Sequence, residues 1–174
     1  MDIEWEELQA AILSRDPERL HYLDRETGEV VSVSGSGEPD GAEGEDSDDA
    51  EDQERLRGEI ENDPDRFVEI EPVPHSDRVE WMAAYAQTVG DPGLCAQLRR
   101  ALEGHQPERE FDRLLRAQPE WRARWIGFHD ARAQEVIDGW VEENDVESDT
   151  PPPWKLKPAR RKPKKKRKLS QEQA

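Results

Sequence analysis

Two long stretches of this chain contain almost nothing that could enter a hydrophobic core, and this confines any fold to what remains. The stretches are residues 35–64 and 149–174, and the rest of the chain carries every tryptophan except Trp154. Hydrophobic residues make up only 33% of the 174 positions and charged residues 39%, a poor apolar supply for a fully packed chain. The deficit is local, however. About 110 residues remain, enough to withdraw about two thirds of the unfolded surface from water. The length allows one domain plus tails. The sequence therefore predicts a single domain built from residues 1–34 and 66–145, an acidic insertion at 35–64, and a linker with a basic tail at 146–174. Both the insertion and the tail are expected to be disordered.

Charge divides along the same lines. Residues 151–174 hold ten Lys/Arg and one acid, Glu172, for +9, whereas the first 150 residues hold fifteen Lys/Arg and 41 Asp/Glu, for −26. Such a body repels nucleic acid and anionic lipid, and only the tail attracts them. The insertion GSGEPDGAEGEDSDDAEDQE places ten acids between Glu38 and Glu54 with no base among them. Repulsion and the lack of apolar anchors predict disorder there. A calcium loop starting at Asp46 needs Gly at its sixth position and Glu at its twelfth, where this chain has Glu51 and Arg57.

Along the body, Ile3, Trp5, Leu8, Ile12 and Leu13 recur at helical spacing, predicting an amphipathic helix over about 3–14. Leu20, Tyr22 and Val30–Val33 then read as two strands of a hairpin, with Asp24–Gly28 as its turn; Gly28 supplies the positive φ. RFVEIEPVP, from Arg66 to Pro74, alternates and ends in prolines, which predicts a third strand. Four helices follow. Asp77 and Glu80 suggest a capping box before a stripe of Val79, Met82, Ala83, Ala86 and Val89 that ends at Gly90. Asp91 caps the next helix, with Pro92 at its first position and Gly104 beyond its end; Pro107 and Pro119 open the last two. The fold class is α+β: a small antiparallel sheet, hairpin plus one strand, covered by about five helices.

The longest helix carries Trp121, Trp125, Phe128, Arg132, Val136 and Trp140 at steps of three or four. Trp121, Trp125 and Arg132 could form a platform for stacked bases. The stronger reading is the main core helix, because this body has few other large apolar groups. Gly127 and Gly139 each cost a helix interior about 1 kcal/mol, which close backbone contact at those points would explain. The lone Cys95 sits in an apolar helical pattern and reads as a buried structural thiol.

YLDRETGEVV, EWMAAYAQTV, LRRALEG and RWIGFHDARAQEVIDGW, in that order, resemble the uncharacterised protein family 0158, a group of small bacterial proteins. The likeness covers about residues 3–34 and 66–143. After Gly104 the family pattern would have a small residue, Phe and a basic run, where this chain has HQPEREFDRLL. The resemblance implies a bacterial cytosolic protein and transfers no activity or catalytic residue. The acidic insertion and basic tail stand as additions to the family body.

No enzyme is expected. His21, His75, His105 and His129 are scattered without metal-ligand spacing, a second cysteine is lacking, and no phosphate-binding glycine loop or nucleophile elbow is present. His129 and Asp130, adjacent on a helix, point apart. No cofactor or metal is expected. No apolar stretch reaches 18 residues, so no membrane span is expected. The acidic N-terminus MDIEWEELQA differs from a basic leader, which points to the cytoplasm.

The tail run PARRKPKKKRK is the one candidate site. Arg160, Arg161, Lys162, Lys164, Lys165, Lys166, Arg167 and Lys168 would contact the phosphates of nucleic acid or another polyanion, with no interleaved aromatic to read sequence. Its contour beyond Trp154 is about 45 Å, several times the Debye length of about 8 Å. Three other readings stay open. The run could rest on the chain's own acidic insertion, held there at an effective concentration in the millimolar range. It could bind an acidic protein partner. It could also be a solvated extension or an address, in a protein–protein adaptor whose charges serve solubility.

Overall fold

The computed structural model of the chain describes residues 1–35 and 47–156. The cationic residues Arg160, Arg161, Lys162 and Lys164–Lys168 lie outside the described residues, as does most of the acidic run before Ser47. The fold is α+β. In chain order it runs α1 (Trp5–Ile12), β1 (Arg19–Asp24), β2 (Val30–Ser34), α2 (Ser47–Asn62), β3 (Phe67–Ile70), α3 (His75–Thr88), α4 (Pro92–Leu102), α5 (Pro107–Arg116) and α6 (Pro119–Glu143), with a short 3-10 turn at Pro153–Lys155.

The three strands form an antiparallel sheet in the order β2-β1-β3. Leu23 stands opposite Val30 on one side and Val68 on the other. At the hairpin turn Gly28 has φ +84°, and a Cβ there would fall 2.0 Å from the Asp2 carbonyl oxygen. Two requirements therefore meet on this glycine, a left-handed backbone and room for the N-terminal segment, whose Glu4 N–H donates to the Gly28 carbonyl at 3.1 Å. Asp24, buried at the end of β1, accepts from Arg66 through both oxygens at 2.9 and 2.5 Å and also receives the Glu26 N–H at 2.8 Å. One side chain thus closes the turn and ties the hairpin to the start of β3.

Two apolar clusters share α6. The first joins Trp5, Leu8 and Ile12 of α1 to Leu23 and Ile70 of the sheet, Val73, and Ile137 of α6. The second packs Met82, Tyr85 and Ala86 of α3 with Leu94 and Leu98 of α4 and Phe111 and Leu115 of α5, under Trp121, Trp125 and Phe128 of α6. At 25 residues and 1.5 Å per residue, α6 is about 37 Å long, enough to serve both. Asp91 caps α4 as its position suggests, accepting from the Gly93 and Leu94 N–H groups at 2.9 and 3.1 Å.

Several expectations are corrected. The segment 35–64 is not wholly disordered: Ser47–Asn62 is a helix. Its acidic residues gather toward the N-terminal end, where the helix dipole stabilises negative charge, and Arg55 bridges Asp52 and Glu59 along one face. The helix docks on β2, where Gln53 donates to the Ser32 carbonyl at 3.3 Å and Arg57 to the Ser34 carbonyl at 2.6 Å. On the other edge, the Trp140 indole N–H donates to the Glu69 carbonyl of β3 at 3.3 Å. Each edge of this small sheet thus has carbonyls occupied by side-chain donors, which hinders pairing with another chain there.

Residues 146–156 are likewise part of the body. Val146 is buried in the first cluster, and Trp154 packs on it. The apolar seam of α6 is rotated from the predicted stripe: its fully buried residues are Ala133 and Ile137, while Val136 is exposed. The aromatic members do serve the core, with Trp125 5.0 Å from Phe111 and 5.3 Å from Tyr85 between ring centroids. Arg132 lies over Phe128. A Cβ at Gly127 or Gly139 would meet nothing within 4 Å, so close backbone contact explains neither. Helix α3 begins at His75 behind Pro74, so Asp77 lies in its first turn instead of capping it. Cys95 is half-buried, against the second cluster.

Candidate functional site

The described chain ends where the tail run is about to begin, and its root is fixed. After α6 the backbone turns at Asp145, with φ +50°, and the Val146 N–H returns to the Val141 carbonyl at 3.0 Å. The segment then runs beside the N-terminus. The Asp149 N–H donates to the Met1 carbonyl at 2.8 Å, the Met1 ammonium pairs with the Asp149 carboxylate at 2.6 Å, and the Trp5 indole N–H donates to the Thr150 carbonyl at 3.2 Å. Asp138 of α6 receives both the Trp154 indole N–H at 3.4 Å and the Lys155 ammonium at 3.0 Å.

A second polar constellation was not foreseen. Arg15 follows α1, His75 and Arg78 occupy the first turn of α3, His105 and Gln106 form the turn into α5, and Glu108 is the second residue of α5. They line a surface pocket of about 300 Å³. Glu108 is its centre. One carboxylate oxygen lies 2.8 Å from His75 Nδ1 and 3.6 Å from Arg78 Nε, and the other 3.0 Å from Arg15 Nη1. Because a carboxylate only accepts, His75 must carry its proton on Nδ1. Arg78 is anchored by a 3.3 Å hydrogen bond to the Ser14 carbonyl. No sequence signal could have found this group, since its members come from three separate segments.

His129 lies behind the pocket, edge-on to Trp81 at 5.7 Å and tilted against Trp125 at 5.4 Å. Burial, with the nearby Arg15 and Arg78 charges, holds its imidazole below the usual histidine range despite Asp130. The His129–Asp130 separation of 3.7 Å is beyond hydrogen-bond reach. Among the described residues no three His, Cys, Asp or Glu side chains are grouped to hold a metal ion, and no helix is long and apolar enough to cross a membrane.

The model of an uncharacterised protein family, UPF0158, matches residues 1–156. The chain belongs to UPF0158. Among its relatives is the UPF0158 protein PA5073 of Pseudomonas aeruginosa, 29% identical over 127 residues, which are 73% of this chain and 74% of the relative. No solved structure matches the chain significantly. The UPF0158 match is wider than the resemblance at 3–34 and 66–143, since it takes in α2 and the packed segment through Leu156. It stops before Arg160.

Proposed function

We propose that this UPF0158 member is a non-enzymatic binding protein of the bacterial cytoplasm whose basic tail, Arg160–Lys168, makes non-specific electrostatic contact with nucleic acid or another polyanion. The observation that carries this reading is the fixed root. Trp154 and Lys155 are held on α1 and α6, and the concentrated positive charge begins only a few residues later. The division of labour is physical. A body of −26 contributes repulsion that salt screens within about 8 Å, and eight cations in nine positions beyond it supply attraction that depends on releasing counterions.

The test is a filter-binding salt titration of the whole chain against one ended at Leu156, which keeps the packed root intact. With duplex DNA as the probe, six to eight phosphate contacts give a log–log slope of about −5 to −7. That slope is expected to vanish on truncation. Equal binding by both chains, or none at low salt, removes the proposal and favours an adaptor whose charges serve solubility.

A further inference from the structure

We infer that the pocket formed by Arg15, His75, Arg78 and His105 is a binding site for a phosphate-class oxyanion, and that Glu108 occupies it as a built-in competitor. A glutamate in the first turn of a helix is already stabilised by the helix dipole. Glu108 nevertheless draws three further partners from two other segments, at 2.8, 3.0 and 3.6 Å. The other arginine pairs on α5 and α6 join neighbours on one helix, as Arg113–Glu110, Arg116–Asp112 and Arg132–Glu135 do. Here two guanidinium groups face one carboxylate, so positive charge is in surplus inside a pocket of a protein whose net charge is −17.

The geometry also shows what the carboxylate leaves undone. Its oxygens are turned toward His75 and Arg15, and neither comes within hydrogen-bonding distance of Arg78 Nε. That nitrogen is buried without a hydrogen-bond partner, on a side chain only 13% exposed. An unmade bond from a buried charged group is costly. A planar carboxylate held toward His75 and Arg15 does not reach Arg78 Nε as well, whereas a tetrahedral phosphate presents acceptors in enough directions to meet both guanidiniums and the imidazole together. The Glu108 side chain, 15% exposed, lines a pocket with room for a small ligand. An entering phosphate would displace it toward solvent.

The experiment follows the imidazole resonances of His75 and His105 by NMR in the full chain, with His21 as a distant control. Three probes are used: inorganic phosphate, a 5′-phosphorylated dinucleotide and its unphosphorylated counterpart. Phosphate is expected to shift both pocket histidines and spare His21, binding about tenfold more tightly to Glu108→Gln. Arg78→Lys should abolish the shifts. A response to the dinucleotide only when it is phosphorylated assigns the site to terminal phosphates, and a response to inorganic phosphate alone assigns it to the free ion. If Glu108→Gln fails to fold, wild type against Arg15→Ala decides, since Arg15 is largely exposed. Equal shifts in that pair, unmoved pocket histidines, or unchanged affinity in a folded Glu108→Gln overturn the inference. Repeating the titration on the chain ended at Leu156 separates this site from the tail, because the shifts at His75 are expected to survive that truncation.

Discussion

Trp154 meets Trp5 edge to face, with ring centroids 5.7 Å apart and planes at 78°, although the two residues come from opposite ends of the chain. Each ring also spends its indole N–H on the neighbouring segment, Trp5 on the Thr150 carbonyl and Trp154 on Asp138. The pair therefore joins α1, the end of α6 and the root of the tail into one contact. The last described residues, Trp154–Leu156, are fixed on the body because of it.

Replacing Trp154 by alanine removes that contact and a half-buried ring. Edge-to-face pairs contribute about 0.5–1.5 kcal/mol beyond area, and with the lost burial the total cost is about 1–3 kcal/mol. Urea unfolding measures it. The Lys155 and Leu156 amides, now bonded to the Pro152 and Pro153 carbonyls, should lose their protection from hydrogen exchange. The salt slope expected from the proposed tail contact with DNA should be the same in this variant, since no tail cation is touched. Unchanged stability with protected amides would show that the prolines alone hold the root.

Acid should lower the protein's stability in two stages. Burial depresses His129 and His21 below their ordinary value of 6.5, so near that pH the unfolded chain takes up protons that the native one refuses. Stability then falls as pH drops through 6.5 and levels off once the native imidazoles protonate. Asp24, held low first by the Arg66 hydrogen bonds, adds a second loss as pH falls below 3.8. Urea midpoints between pH 8 and 3 display both arms. His129→Gln should flatten the first arm, and Asp24→Asn should lower the neutral plateau while flattening the second. A first arm that survives in a variant lacking both His129 and His21 would assign the loss to other groups.

Legibility in the sequence followed how local each cause was. Gly28 and Asp91 act within a few residues, and both the hairpin turn and the α4 cap could be read directly. Helix α2 was hidden because its acidic composition outweighs its few half-buried residues, and because Gln53 and Arg57 dock it on backbone carbonyls of β2, which leave no mark on side-chain pattern. Residues 146–156 read as a linker, yet Val146 and Trp154 pack on the first cluster and Asp149 and Thr150 bond to the N-terminal segment. In α6 the aromatics were found but the seam was not, since fully buried Ala133 is small and carries little weight in a hydrophobic stripe. The Glu108 cluster had no local signature at all. Its members meet only after α1, α3 and α5 have packed.

The two glycines inside α6 offer the most direct gain in stability. Gly127 and Gly139 lie in a helix interior, and a methyl group at either would meet no atom within 4 Å. Alanine there loses less backbone entropy on folding and introduces no clash, so each substitution should add about 0.5–1 kcal/mol. The sites are three turns apart, about 18 Å, far enough for their effects to add. The double variant should therefore melt about 2–8 °C higher, read by thermal unfolding at pH 7.5. Helix α6 carries both apolar clusters, so stabilising it stabilises the whole body in one transition. A decrease at either site would mean that neighbouring atoms approach the backbone there more closely than the 4 Å clearance.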